Sequence, residues 1–480
     1  MGEHPSRFTF HVSHHISRMI QQHLFIGISL SLLLWTCTVF AQESKTLTLE
    51  DSIQIARQSN LSIQTTQERV KSAEAQVRSA HAGLLPNVAL NSSYRYAGVL
   101  PKSVLEASGA FGPPAGVGGE MPSFSSVGDN DENIIELEFG AHHNFQADLT
   151  LNQPIFAWGR YYKSYQSAKL SLEAARKELD AAYNQLTFDV SEAFYRVLLS
   201  LEFVEVSKQT VELVEKQLKI ARNLFEAGAS TNFDILRAEV LLANAKSNRI
   251  RAKNGARVAM DVYKNVLNID LGGSIGVQGS LELPILEFDL EPLIQLAMEK
   301  RPELHQLQFS EGAAKKQVDV AKTRNRPALS FFSNYQLDHN ERLEEMNRIW
   351  NLGFALNVPI FDGLATRAAV KQAQSGLKQT QLGKQQMTDA IELEVRSAYL
   401  NLLEAKTLIN VQRETVEQAQ ESVRIANLRY ENGMITSVEL TDAQLALSQA
   451  EVNRLQSLHD YAVGLARLEK AVGQKIPINN

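Results

Sequence analysis

From Arg160 to Ala227 the chain contains neither glycine nor proline. With no residue there to free or block the backbone, nothing local stops a helix, and at 1.5 Å per residue the run reaches about 100 Å. That length is too great for an ordinary globular domain. Its apolar residues Leu199, Phe203, Val206, Val211, Val214 and Leu218, followed by Ala221 and Phe225, recur at threes and fours with one gap of five (211 − 206). Such a stripe lets long helices pack side by side. A second run extends from Leu364 to Asn432, with Gly376 and Gly383 as its weak points. Periodicity alone is equally that of a coiled-coil rod.

The two runs belong to an internal duplication. Asn152-Gln153-Pro154-Ile155-Phe156 recurs as Asn357-Val358-Pro359-Ile360-Phe361, an offset of 205 (357 − 152) that persists through Val190 and Val395, Gly228 and Gly433, and Asn248 and Asn453. Upstream, Leu49 and Leu290, Pro86 and Pro327, and Tyr94 and Tyr335 stand 241 apart (290 − 49). The first copy therefore holds 36 extra residues (241 − 205) between Tyr94 and Asn152. That stretch carries Gly109, Gly112, Pro113, Pro114, Gly116 and Pro122, and it reads as a long surface loop. Each copy is expected to run helix, short β-hairpin, very long helix, sharp turn, second long helix. Repeat 1 covers residues 42–275, with strands at about 86–98 and 143–156 and long helices at about 157–227 and 232–268. Repeat 2 covers 276–480, with strands at about 327–338 and 349–361 and long helices at about 364–432 and 437–472.

The hairpins separate this chain from a plain rod. Phe145, Ala147, Leu149 and Leu151 alternate with Gln146, Asp148, Thr150 and Asn152, and Trp350, Leu352, Phe354 and Leu356 alternate with Asn351, Gly353, Ala355 and Asn357. Strict alternation predicts strands with one apolar face. Their partners, Val88 to Tyr96 and Leu329 to Leu337, are about 9 residues long and carry Tyr94, Tyr96 and Tyr335. Strands of about 9–11 residues with aromatic ends suit a membrane-crossing barrel. Four strands do not close a barrel, and an open edge in lipid leaves backbone groups unpaired. An oligomer is required, and two or three copies both satisfy the requirement.

The N-terminus carries Arg7 and Arg18, an apolar stretch from Leu24 to Leu34, and Val39 and Ala41 before Gln42. The order predicts a secretory signal peptide over residues 1–41, its apolar part being well short of the ~20 residues of a spanning helix. The lone cysteine, Cys37, falls inside it; a lipoprotein reading of Leu34 to Cys37 is the alternative. Beyond it the chain offers no thiol and no run of 18 apolar residues. The 48 basic and 54 acidic residues are well mixed and net −6, which supplies no basic stripe for nucleic acid. No Walker loop, Gly-x-Ser-x-Gly or His-Glu-x-x-His is present. His142-His143 is an isolated pair, so neither an enzyme, a cofactor nor a metal site is expected.

The duplicated order, the Pro-Ile-Phe exit from each second strand, and the segments Phe225–Leu236 and Tyr430–Leu440 resemble the TolC-like outer-membrane efflux proteins over residues 46 to 474. The resemblance implies a mainly α chain with a small β part. In a homotrimer, four strands per chain would make a shared 12-stranded barrel in outer-membrane lipid, above a coiled-coil tunnel in the periplasm. It implies a passive duct of an efflux or type I secretion system, docked on a periplasmic adaptor and an inner-membrane pump. The stretches from Leu100 to Asp131 and Asp338 to Arg348 would then be extracellular. Gly228 and Gly433 would end the long helices, and Thr231 and Thr436, each followed three residues on by Asp234 or Glu439, would cap the next ones. These turns would form the periplasmic mouth and the adaptor-docking tips. The resemblance places Asp234, Tyr430, Glu439 and Asp442 at the gate, with Tyr430 bonding Asp234. The chain departs from the family pattern at Ile435, where an arginine would complete the network; Arg237, the counterpart of Asp442, is a candidate substitute. A periplasmic adaptor or scaffold without a barrel is the alternative reading.

Overall fold

The computed structural model describes residues 45–106, 123–125, 134–138, 140–340 and 345–476. The expected signal peptide, Cys37, and much of the Gly-rich stretch lie outside the described residues.

The helices are α1 (Leu49–Ser59), α2 (Leu61–Ala82), α3 (Arg160–Glu226), α4 (Asn232–Val266), α5 (Leu290–Lys300), α6 (Pro302–Ala321), α7 (Ala365–Glu431) and α8 (Ser437–Val472). The strands are β1 (Lys45–Leu47), β2 (Asn87–Tyr96), β3 (Lys102–Glu106), β4 (Ser123–Ser125), β5 (Ile134–Glu138), β6 (His143–Phe156), β7 (Ile275–Val277), β8 (Ala328–Asn340) and β9 (Asn347–Asn357). The two great helices, α3 and α7, are both 67 residues long. Gly376 and Gly383 do not interrupt α7, because one glycine costs only about 1 kcal/mol, less than the packing along the helix returns.

Each copy opens with a pair of short helices where the sequence suggests one. The break falls at equivalent positions, Asn60 and Arg301, through different chemistry. The Asn60 side chain accepts from the N–H groups of Ser62 (2.9 Å) and Ile63 (3.4 Å) and starts α2, whereas Pro302, which has no N–H to continue α5, starts α6.

Contacts divide the chain into two compact units, Met1–Ala56 with Ala193–Glu282, and Arg57–Glu192 with Leu283–Asn480. In the first, β1 pairs in parallel with β7. Tyr263 is fully buried, bonds the Ser52 hydroxyl and sets its ring edgewise to Phe194. Burial pushes the Tyr263 phenol up, against the opposing Ser52 hydrogen bond. Val211 and Val214 of α3 pack on Ala245 of α4.

In the second unit, Leu293, Ala297, Ile391, Val395, Leu402 and Leu468 lie in one core where α5, α7 and α8 meet. Tyr461 donates its hydroxyl to the Pro284 carbonyl (3.1 Å) and accepts from the Leu286 N–H (2.9 Å). Arg301, 5% exposed, donates to the carbonyls of Lys470 (3.0 Å) and Ala471 (3.4 Å) near the end of α8. It also pairs with Glu394 of α7 (2.8 Å) and Glu303 (3.1 Å).

Strands β2, β6, β8 and β9 form a four-stranded sheet in that order, antiparallel throughout. Strand β6 runs through Pro154 with a register shift at Pro154/Phe156. Strand β9 instead stops at Asn357, short of the expected 361 and before Pro359, a residue with no ladder donor. The described parts of the Gly-rich insertion also depart from the expected plain loop. β3, β5 and β4 make a separate antiparallel sheet.

Where each hairpin turns into its great helix, two consecutive residues take left-handed backbone angles. In copy one they are Trp158 (φ +53°) and Gly159 (+74°), and in copy two Gly363 (+63°) and Leu364 (+71°).

Candidate functional site

The turns joining the paired long helices are built alike in both copies. Gly228 (φ +72°) and Gly433 (φ +68°) take left-handed angles. Around them Ala229 N–H bonds the Leu224 carbonyl and Met434 N–H the Arg429 carbonyl, both at 2.8 Å. Gly228 N–H bonds the Phe225 carbonyl (2.9 Å) and Gly433 N–H the Tyr430 carbonyl (3.0 Å). This six-to-one bond with a tighter one inside it is the Schellman stop, and it depends on a residue without a Cβ penalty at the left-handed position.

The following helices start on capping boxes. The Asp234 carboxylate accepts from the Thr231 N–H (3.1 Å), the Thr231 hydroxyl (2.8 Å) and the Ser230 hydroxyl (3.0 Å). Glu439 accepts from the Thr436 N–H (2.8 Å) and hydroxyl (2.9 Å), and its own N–H bonds back to that hydroxyl at 3.3 Å. The Thr436 backbone N–H, then its hydroxyl, hold the Glu439 carboxyl below its ordinary value, with help from the charge on Arg429. The stabilisation this brings is complete above the ordinary carboxylate range and is lost as pH falls through the lowered value.

The structure thus gathers Tyr430, Gly433, Thr436, Glu439 and Asp442 at the second turn, and Gly228, Thr231 and Asp234 at the first. Tyr430 is buried at 5% exposure, whereas its copy-one counterpart, Phe225, is 44% exposed. Asp442 is exposed, one helical turn beyond Glu439, and Ile435 and Arg237 are half-buried.

Sequence reasoning passed over a difference in how the two legs are fastened. In copy one, Arg222 of α3 pairs with Glu239 of α4 (2.8 Å) and Lys246 with Glu215 (3.2 Å). The matching positions 205 residues on are Asn427, Gln444, Glu451 and Gln420, which cannot form those pairs. There α8 buries Leu440 and Gln444 instead. Charges at 205-residue spacing were legible, but hydrophobic periodicity does not pair them across a turn.

The second functional surface is the four-stranded sheet. Register places Val88, Leu151, Ser333 and Leu352 side by side on one face, and further along it Tyr94 beside Phe145 and Tyr335 beside Trp350. The opposite face carries Asn91 beside Asp148 and Gln336, and Asn334 beside Asn351. On that polar face the Phe332 ring covers Gly353, where a Cβ would come within 3.1 Å of it. The apolar face is open: Leu90 is 70% exposed, Phe354 69% and Trp350 67%. Such a face on an antiparallel sheet is what lipid covers in an outer-membrane barrel. None of the described helices is long and apolar enough to cross a membrane. Among the described residues no cluster of metal-ligating side chains occurs.

An antiparallel sheet with one apolar face, and hairpins each followed in the chain by a 67-residue helix, are features of an outer-membrane channel subunit. The family model for "outer membrane efflux protein" matches residues 52–260 and 293–474. Nodulation protein T of Rhizobium leguminosarum bv. viciae is 24% identical over 430 residues, covering 88% of this chain and 82% of its own. Outer membrane protein TolC of Escherichia coli K12 is 20% identical over 468 residues, covering 94% and 85%. Among solved structures, the Campylobacter jejuni CmeC outer membrane channel superposes with a TM-score of 0.72 at 18% identity, covering 88% of this chain and 85% of that one, a likeness of fold. The chain belongs to the outer membrane efflux protein family. It is an outer-membrane efflux channel protein, seated in the cell outer membrane with its helical part in the periplasm, and a passive channel rather than an enzyme. The scaffold reading without a barrel is set aside.

Proposed function

We propose that three copies of the chain, cut after Ala41, assemble into a 12-stranded barrel and helical tunnel that serves as the passive exit duct of a tripartite efflux or type I secretion system. The carrying observation is the four-stranded sheet whose outer strands, β2 and β9, each have one partner. The strand directions alternate across the sheet, so β9 of one copy and β2 of the next are also antiparallel, and ladders close without a change of pattern. Two copies would give eight strands, an interior about filled by its own side chains, whereas twelve leave a passage.

The gate lies at the tips and consists of Asp234, Tyr430, Glu439 and Asp442. Three copies of Glu439 and Asp442 around one axis repel anions and attract cations in a narrow mouth. The turns at Gly228, Thr231, Gly433 and Thr436 dock a periplasmic adaptor, and an inner-membrane pump spends the energy. The half-buried Ile435 brings no charge to the latch, and Arg237, the counterpart of Asp442, is the candidate substitute.

Planar-bilayer recording of detergent-purified trimer tests the reading. The closed channel should pass monovalent cations better than anions and be blocked by polyvalent cations from the periplasmic side. Glu439→Ala with Asp442→Ala should weaken both effects, at a folding cost of only about 1 kcal/mol per helix cap. Tyr430→Phe should raise conductance without changing ion preference. An unaltered ion preference and block in the double variant would reduce these acids to helix caps, and a monodisperse monomer would remove the barrel.

A further inference from the structure

The apolar face of the sheet ends in a cluster of basic side chains. Along β2, β6, β8 and β9, alternate residues on that face are aliphatic, aromatic, Ser or Gln for nearly the whole strand length. No carboxylate occurs on it among the described residues of these four strands. Its basic side chains, His143, His339 and Arg348, all lie at the end away from the long helices.

Register puts the three on adjacent strands as diagonal neighbours. His339 stands opposite Phe145, two residues from His143 on β6, and Arg348 stands opposite Leu337, two residues from His339 on β8. All three are exposed. The Tyr94 hydroxyl and His143 Nδ1 lie 2.6 Å apart, and the Tyr96 ring lies 5.0 Å from the His143 ring, so this imidazole is held in place.

Height decides what meets these groups. From Leu329 to His339 the strand advances ten steps, about 33 Å along its length. With the roughly 40° tilt of barrel strands, that is about 25 Å of height, the thickness of the apolar band of an outer-membrane barrel. These basic side chains therefore sit where hydrocarbon gives way to headgroups, with Trp350 and Tyr335 just below them as interfacial aromatics.

We propose that His143, His339 and Arg348 form a collar that binds the phosphate of phosphorylated lipids in the outer leaflet. Arg348 supplies a permanent charge and a two-pronged donor that fits phosphate, and each imidazole supplies at least one N–H. The site is a property of the outer surface and is separate from the conduit. It rests on the reading that the apolar face meets lipid.

The test is native mass spectrometry of the detergent-purified full-length mature oligomer with phosphatidic acid, phosphatidylcholine or inorganic phosphate. The parent should retain phosphatidic acid about fivefold or more over phosphatidylcholine, as expected for one arginine at a lipid surface. Arg348→Lys should keep the preference, and Arg348→Gln combined with His143→Gln and His339→Gln should abolish it. Should the triple variant fail to assemble, Arg348→Gln alone, a change at one exposed residue, should still lower the preference at least about twofold. An intact triple variant with the parent's preference, or displacement of the lipid by inorganic phosphate at equal concentration, overturns the collar. A parent that forms no oligomer and retains no lipid at all overturns the barrel reading on which it rests.

Discussion

Replacing Arg301 with methionine should be among the most damaging single changes in the periplasmic part of the chain. Arg301 is 5% exposed, and its guanidinium ties three elements together: the α5–α6 junction, Glu394 of α7, and the Lys470 and Ala471 carbonyls of α8. Methionine keeps most of the aliphatic packing and removes every donor. Breaking a buried ion pair from one side costs about 3–5 kcal/mol. Here Glu303 and Glu394 keep 25% and 32% side-chain exposure, and the Lys470 carbonyl still accepts from the Gly473 N–H. Water and that remaining bond recover part of the loss, which leaves a cost of about 2–3 kcal/mol. Lysine lacks the fork and should recover less than about half of it. Denaturant unfolding of the helical signal would measure these values, with Glu394→Gln completing a double-mutant cycle whose coupling should be about 1 kcal/mol or more. A cost below about 0.5 kcal/mol with no coupling would refute the reasoning, because ordinary surface changes fall in that range.

At the tip, a Cβ on Gly433 would meet nothing within 4 Å, so Gly433→Ala should cost only the left-handed backbone penalty of about 1–2 kcal/mol, and Gly433→Asn less; equal values in unfolding experiments would contradict this. Burial pushes the Glu469 carboxyl up, against the opposing Ile476 hydrogen bond and the charge on Lys475. Its ionised form therefore costs stability at neutral pH, and that cost is relieved as pH falls through the raised value. Glu469→Gln should accordingly raise the melting temperature at pH 7 and match the parent in acid; a variant less stable at pH 7 counts against it. N-terminal sequencing of protein from the outer-membrane fraction should begin at Gln42, and a start at or before Cys37 would favour a retained or lipid-bearing N-terminus.

Much of the fold was legible because duplication doubles each signal. A long Pro-free run, an alternating hairpin and a Thr-x-x-acid box each appear twice, and coincidence does not produce that. The missed features lack such an echo. The break between α5 and α6 pairs with an asparagine in the other copy, so one position reads as a cap and the other as a buried cation. The strands β3, β4 and β5 are three to five residues long and stand among glycines and prolines, so period-2 alternation has no length over which to appear. The tips divide in the same way. Their stops and caps follow from local sequence, whereas the Arg222–Glu239 tie and the burial of Tyr430 depend on which helix lies opposite, and no spacing along one strand of sequence records that.

The corner between hairpin and great helix records how the two copies diverged. Both bends use two left-handed residues in a row, yet copy one places its glycine second and copy two places it first. Aligned, the two sites match in backbone and in no residue. A Gly-Gly corner is a single replacement away from each present version, Trp158 in one copy and Leu364 in the other, and it places no side chain at a left-handed residue. What descent has kept at this point is a direction of travel for the chain. A comparison by residue identity scores the position as unrelated in the two halves of one molecule.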